Sequence, residues 1–384
     1  MNLLVLSTWH PYPPDNGSRI RAWHLLRTLA KHHRIRLIAG RQDDAPATIP
    51  EPLAELCESV VMVPWQWYSG GSGGLRALLD STPRSIRETQ NPALVAAIEA
   101  ELARKPDVAL VMELGMDAHV PETNVPLVLE QAEVSLWSQA KGPRARLTQA
   151  KAQRYWQSRF QRYGAITAVS ESEAEAIRGV LKTNFPPVHV VPNGVDTAHY
   201  DYQPKQPIPG RLIYNGALTY GLNKEAVRWF ATRILPRIVQ RHPEAKLVVT
   251  GRVPEDCQDL AENPHICLTG YLNDIRDALS EASICVVPLL GGGGTRLKVL
   301  EAWAAGLPVV STPVGAMGLP GAENGRELLL AEEADAFADA VCFLLDNEAK
   351  RSAVAEAGRT LARTHYDWSA IGERLDTVLV EARG

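Results

Sequence analysis

Short apolar runs recur along this chain, and almost every one gives way to a stretch with helical spacing. LLVLS (3–7), IRLIAG (35–40), VVMVP (60–64), DVALVMEL (107–114), PLVLE (126–130), AITAVS (165–170) and VHVVPN (188–193) mark the first half. RLIYNG (211–216), KLVVTG (246–251) and SICVVPL (283–289) mark the second. Between them lie helical patterns, such as the one after the Pro/Gly loop PYPPDNGS, where Ile20, Trp23, Leu26 and Leu29 or Ala30 share a face. Others fall at 93–105, 144–163, 224–242 and 274–282, and the tail carries helical signals at 333–346, 348–363 and 368–382. Repeated strand–helix–strand units build parallel sheets with helices on both faces. The Pro-rich stretch DYQPKQPIPG (201–210) breaks the series once and reads as a linker. The prediction is an α/β protein of two doubly wound, Rossmann-like domains, 1–200 and 201–365, and 384 residues suffice for both. Ligands of such sheets sit at the carboxyl ends of the strands, so two facing domains would hold theirs in the cleft between them.

One loop at such a strand end stands apart: PLLGGGGTRLKVLEAWAAGLPVVST (288–312). Four glycines let a backbone approach a ligand closely, because no Cβ intrudes. Thr295 then caps or opens a helix to about Ala305, which Gly306 ends and Pro308 follows. A helix N-terminus exposes unpaired N–H groups and suits phosphate, and Arg296 and Lys298 add full positive charge there. Thr295, Lys298 and Glu301 fall at i, i+3 and i+6 and share one side. The loop and first turn suit a diphosphate, and Glu301 suits sugar or ribose hydroxyls. A P-loop would need GK[ST] where this chain has TRLK, and a GxGxxG fingerprint would open the first strand–helix unit instead.

Composition narrows the function. A net charge of −4 argues against a general nucleic-acid binder. The five cysteines are scattered, without CxxC or zinc spacing, and read as reduced core thiols of a cytoplasmic protein. The first residues, MNLLVLSTWHPYPP, lack a basic start and read as a strand rather than a signal peptide. No apolar run reaches membrane-spanning length.

The glycine-loop segment resembles the nucleotide-sugar signature of glycosyltransferase family 4, enzymes of the GT-B fold. Other segments match that family in order over nearly the whole chain: PYPPDNGSRIRAWHLL, AVSESEAEAI, VVPNGVDTAHY, YNGALTYGLNKEAVRWF, LVVTGR, LTGYLNDIRDAL and YDWSAIGERLDTVL. The resemblance implies an acceptor-side N-terminal domain, a nucleotide-sugar (donor) C-terminal domain, and a last helix, 366–384, that packs back on the first domain. It implies retaining, metal-independent transfer of a sugar from a UDP- or GDP-sugar to a hydroxyl of a glycan, a lipid-linked acceptor or a small molecule, in cell-envelope polysaccharide or glycoconjugate synthesis. The nucleotide-sugar is a co-substrate and no cofactor is expected. By resemblance Glu301 binds ribose hydroxyls, Gly294, Thr295 and nearby amides including Gly293 face the phosphates, the backbone at Tyr271 and Leu272 borders the base, and Gly216 closes the first donor-domain strand. Gly17 and Ser18 offer amides from the other domain, with Arg19 as a phosphate candidate beside Arg21.

The chain departs from the family at two places. The first of two glutamates would stand at Gly293, and the arginine that often follows Gly216 is Ala217. Arg296 and Lys298 are therefore the expected catalytic cations. Glu113, at the end of its strand, is a candidate to orient the donor sugar or take the acceptor proton, against a plain capping role. Glu130 and Glu133 are weaker site candidates, and His32 and His33 read as solvated. WQWYSGGSGGLRALL (65–79) suits a mobile acceptor lid or an ordinary exposed loop. The region 141–164 has seven Lys/Arg and no acid, with Leu147, Trp156, Phe160 and Tyr163 interleaved. It fits peripheral contact with the inner face of a membrane, or a solvated helix. Two other functions stay open: a nucleotide-binding scaffold subunit with weak catalysis, and a GT-B nucleotide-sugar 2-epimerase.

Overall fold

Leu3, Leu4, Val5 and Leu6 are all fully buried. A strand apolar on both sides belongs inside a covered parallel sheet, and β1 (Asn2–Ser7) lies there. It is followed by β2 (Arg34–Arg41), β3 (Ser59–Pro64), β4 (Val108–Met112), β5 (Leu127–Glu130), β6 (Ala165–Ala168) and β7 (Val188–Val190). These pair in parallel in the order β3-β2-β1-β4-β5-β6-β7. The order reverses between β1 and β4, which is where such sheets open a crevice. The computed structural model describes residues 1–42, 48–65, 82–130, 143–181, 185–201, 207–292 and 296–384.

A second sheet repeats the plan. β8 (Arg211–Asn215), β9 (Lys246–Thr250), β10 (Ile266–Gly270), β11 (Ile284–Val287), β12 (Val309–Ser311) and β13 (Leu329–Leu330) are ordered β10-β9-β8-β11-β12-β13, again parallel. Here the order reverses between β8 and β11. β12 and β13 carry too few residues to show a period, and β10, ICLTG, is buried only at Ile266, so it lacks the unbroken apolar run that marks its neighbours. The expected helix at 224–242 is broken into Gly221–Trp229, a π-turn at Phe230–Ile234, and Leu235–Arg241. Pro236 has no N–H to close an i→i−4 bond, which accounts for the local widening.

The two sheets belong to separate compact units, Met1–Pro192 with Ile371–Gly384, and Asn193–Ala370. The chain therefore crosses before the Pro-rich stretch, not within it. The larger part of helix Trp368–Arg383 belongs to the first unit, where Ile371, Leu375, Val378 and Leu379 are buried. Gly372 lies so close to Thr28 that an added Cβ would stand 2.4 Å from the threonine Cβ. His33 is not solvated as expected: its Nε2 reaches Asp376 at 2.5 Å and fastens this helix. Four cysteines are buried and Cys267 is exposed.

In the stretch 141–164 the side chains of 149–164 are described, and packing accounts for three of its aromatic residues. Trp156, Phe160 and Tyr163 are buried in the first unit's core. Arg159 clamps the buried Asp117 at 2.8 Å, and Arg162 donates to the carbonyls of Val120 and Pro121. These side chains face protein, so they do not form the apolar face a membrane would need. Among the described residues no helix is long and apolar enough to cross a membrane.

Candidate functional site

The site is built where the second sheet reverses. β8 ends in Asn215 and Gly216, β9 in Thr250 and Gly251, and β10 leads to Tyr271 and Leu272. Past β11 the chain enters helix Leu297–Ala304, with Arg296 at its N-cap. These strand ends and the helix enclose a cleft of about 410 Å³ that includes Lys298 and Glu301. Gly293, Gly294 and Thr295 lie outside the described residues, as do Glu133 and the loop 66–81.

Two glycines, Gly251 on the cleft and Gly292 before its helix, allow close approach of chain to chain. Gly251 has φ +97°, and a Cβ on it would meet Ala217 N at 2.7 Å. Gly292, with φ +106°, leaves its carbonyl for Arg296 Nη2 at 2.8 Å. The helix end follows expectation. Leu307 N donates to Ala302 O at 2.8 Å and Gly306 N to Trp303 O at 2.9 Å, a Schellman closure around Gly306 with φ +76°. At the other end Arg296 O accepts the amides of Val299 and Leu300, so those of Leu297 and Lys298 are left without an intrahelical acceptor.

Glu301 is held by Asn215, whose Nδ2 donates to Oε2 at 2.7 Å and to Lys298 O at 3.2 Å. The buried Cys285 thiol points at Asn215 Oδ1, at 3.6 Å, which fixes the amide's orientation. Burial raises Glu301 above the usual carboxylate range, opposed by Asn215, Lys298 and the Tyr200 hydroxyl, all of which favour its charged form. Burial likewise pushes the Lys298 ammonium down to about 8, opposed by Glu301 and reinforced by Arg296. A carboxylate and an ammonium that both resist desolvation form a polarised pair beside open amides, an arrangement suited to a polar, anionic ligand.

Arg296 is placed differently from Lys298. Its guanidinium donates to the carbonyls of Gly292 and Val314, at 2.8 and 3.1 Å. It braces the glycine loop against the next turn of chain. Tyr271 stands at the rim, 62% exposed, as a planar surface beside the cleft. Asn215, Asn223 and Tyr200 were missed by the sequence reading. Only the position of Asn215 at a strand end, before Gly216, gave a signal.

In the first unit, Asn16 caps helix Gly17–Leu29 by accepting from Arg19 N at 3.1 Å, and Gly17 and Ser18 occupy the open first turn. Arg19 turns inward: its guanidinium pairs with Asp15 at 2.8 Å and lies 5.6 Å from the centre of the Trp9 ring. Arg21 and Glu130 form a fully buried pair, and Arg21 also donates to the carbonyls of Val191 and Pro192. Glu130 thus serves the interior of the unit. Glu113 adopts φ 68°, ψ 152°, a region essentially reserved for glycine. Strain of this kind collects at functional sites. Glu113→Gly is expected to stabilise the protein by about 1–2 kcal/mol while lowering turnover, and Glu113→Gln to leave stability unchanged. Urea denaturation checks this, and a destabilised Glu113→Gly variant would show that the conformation is not strained.

Known proteins resemble the chain in both units. Residues 15–199 match the model described as Glycosyltransferase Family 4, and residues 209–347 match that of Glycosyl transferases group 1. The chain belongs to the family 4 glycosyltransferases. It is 30% identical over 209 residues to a phosphatidyl-myo-inositol mannosyltransferase of Mycolicibacterium smegmatis, covering 50% of this chain and 52% of that protein. It is 29% identical over 161 residues to a GDP-mannose-dependent monoacylated alpha-(1-6)-phosphatidylinositol monomannoside mannosyltransferase of Corynebacterium glutamicum, covering 38% of this chain and 42% of that protein. The match thus spans about half the length of these curated relatives or less. Among solved structures, sucrose-phosphate synthase from Thermosynechococcus elongatus superposes with a TM-score of 0.68 at 15% identity, over 98% of both chains. Anabaena HepE in complex with UDP and glucose gives 0.64 at 13%, over 98% of this chain and 99% of that one. Both sheets have the doubly wound, Rossmann-like form of the GT-B glycosyltransferases.

Proposed function

We propose that this family 4 member transfers a hexosyl group, with retention, from a UDP- or GDP-linked sugar to an acceptor hydroxyl on a glycan, a lipid or a small molecule. The observation that carries the reading is the Asn215–Glu301 hydrogen bond beside Lys298, in a cleft at the carboxyl ends of β8 and β11. Glu301 offers a fixed acceptor for two neighbouring ribose hydroxyls. The amides of Leu297 and Lys298 and the Lys298 ammonium face where a diphosphate would lie. As the bond from the anomeric carbon to the diphosphate oxygen breaks, negative charge grows on that oxygen, and these donors offset it. The acceptor oxygen bonds to the anomeric carbon on the face the diphosphate leaves and passes its proton to the departing diphosphate oxygen. Arg296 acts through the loop it braces. Glu113 is proposed for the acceptor side. The mannosyltransferases with lipid acceptors among the relatives favour a lipid-linked acceptor and envelope glycolipid synthesis.

A second reading rests on Gly293 and Ala217, which lack the glutamate and arginine expected there: a subunit that binds nucleotide and turns over poorly. A thermal-shift panel of UDP, GDP, ADP and TDP, with and without magnesium, on wild type and Glu301→Ala tests the donor site. A ligand at about 100 times its Kd should add roughly 2.7 kcal/mol of stability. One nucleotide should stabilise wild type and not the variant, and its sugar conjugates should then be consumed with an acceptor. Binding without consumption supports the second reading. No stabilisation by any nucleotide overturns both.

A further inference from the structure

Asn223 opens a view of how Lys298 is controlled. It is buried near the start of helix Gly221–Trp229, and its amide is held at three points. Nδ2 donates to Ala217 O at 2.8 Å. Oδ1 accepts from the Tyr214 hydroxyl at 2.7 Å and from Lys298 Nζ at 3.2 Å. A main-chain carbonyl can only accept, so the nitrogen must face Ala217 and the oxygen is left for the ammonium. The Tyr214 ring completes the seat, with Lys298 Nζ 5.2 Å from its centre. The residue that anchors this amide, Ala217, is the one that stands where an arginine is expected.

We propose that Asn223 is the positioning residue for Lys298, holding its ammonium over the Tyr214 ring and sustaining its charge, so that one lysine serves the diphosphate where the arginine is missing. The inference rests on the donor-binding reading above. The other groups that bear on Lys298 do not replace this contact. Glu301 on the same helix supports the charge and Arg296 before it opposes the charge. Cys285 on β11 is kept protonated by burial, which raises its thiol to about 12, and burial raises the Tyr214 phenol on β8 as well. Asn223 is the neutral acceptor that lets an ammonium persist there without cancelling its charge toward a ligand.

The sign of the pH effect follows. A diphosphate binds the charged lysine and raises its pKa, and in the free protein that group titrates near 8. Affinity is therefore full below that value, falls as pH rises through it, and binding takes up a proton in that window. The experiment is calorimetric titration of UDP or GDP, whichever binds wild type, between about pH 7 and 9.5, where the diphosphate's own second ionisation is complete. Asn223→Leu, which removes the acceptor, should lower the midpoint by about 0.5 pH unit or more. Asn223→Asp, which adds a carboxylate, should raise it by about 1 unit. Tyr214→Phe keeps the ring and frees Oδ1 for the ammonium, so it should raise the midpoint even if the Asn223 variants do not fold. A merely structural role would weaken binding by one factor at every pH, and an unmoved midpoint in the folded variants overturns the proposal. Wild type that binds neither nucleotide overturns the donor-site reading instead.

Discussion

Lys298→Met is expected to lower turnover by about 100- to 1,000-fold and at the same time to make the protein more stable. The loss follows from removing a charged donor beside the oxygen on which charge develops. The gain follows from burial. Lysine's ordinary value is 10.5, and here the ammonium titrates at about 8. Each unit corresponds to about 1.4 kcal/mol, so holding this charge costs the folded state up to roughly 3 kcal/mol. Partial exposure to solvent lowers that to about 1–2 kcal/mol. Methionine has nearly the same length, packs on the Tyr214 ring and leaves Asn223 Oδ1 bonded to the Tyr214 hydroxyl. The sign with pH is fixed: the folded pKa lies below the unfolded one, so the penalty is fully present below about 8 and fades as pH rises toward 10.5. The stabilising effect should therefore be largest near neutrality and vanish in strong alkali. Urea denaturation of both proteins at pH 7 and about pH 10 checks this, and a variant less stable than wild type at pH 7 would show that Lys298 is not a strained charge.

Glu301→Gln should weaken nucleotide binding by about 100-fold, near 3 kcal/mol, with little change in fold. Hydrogen bonds to a charged acceptor contribute about 1.5–3 kcal/mol each, and an amide offers one acceptor oxygen and a misplaced donor. That donor would face Asn215 Nδ2, so the side chain must turn its oxygen inward and present nitrogen to the ligand. A deoxyribonucleotide partner sharpens the test. If Glu301 reads ribose hydroxyls, wild type should lose affinity for the 2′-deoxynucleotide and the variant should discriminate far less. Equal discrimination by both proteins would move the ribose contact elsewhere.

Several site residues could be read from the chain because their relation is local. Lys298 and Glu301 lie three positions apart on one helix, and Gly306 and Pro308 announce where that helix stops. The strands were readable because burial on both faces leaves unbroken apolar runs. The partners were not readable, because folding supplies them. Asn215 meets Glu301 across 86 positions and Asn223 meets Lys298 across 75. In sequence Asn215 stands directly before Gly216 and Asn223 two places after Gly221, so both look like turn chemistry. Arg19, Arg21 and Arg296 show the converse limit. Their charge is plain, and the i,i+4 spacing of Asp15 and Arg19 is too, but the burial of Arg19 and the commitment of Arg21 to Glu130 and of Arg296 to backbone carbonyls come only with folding. The same holds for 141–164, where a basic, aromatic pattern suited a lipid surface and the aromatics instead fill a protein core.

The return of Ile371–Gly384 to the first unit makes that unit discontinuous along the chain, while Asn193–Ala370 is one unbroken stretch. Only the second unit can therefore be cut out at a single pair of neighbouring boundaries. A fragment Met1–Pro192 would lack the helix that covers Thr28 and the Asp376 partner of His33, and would bare an apolar seam that invites misassembly.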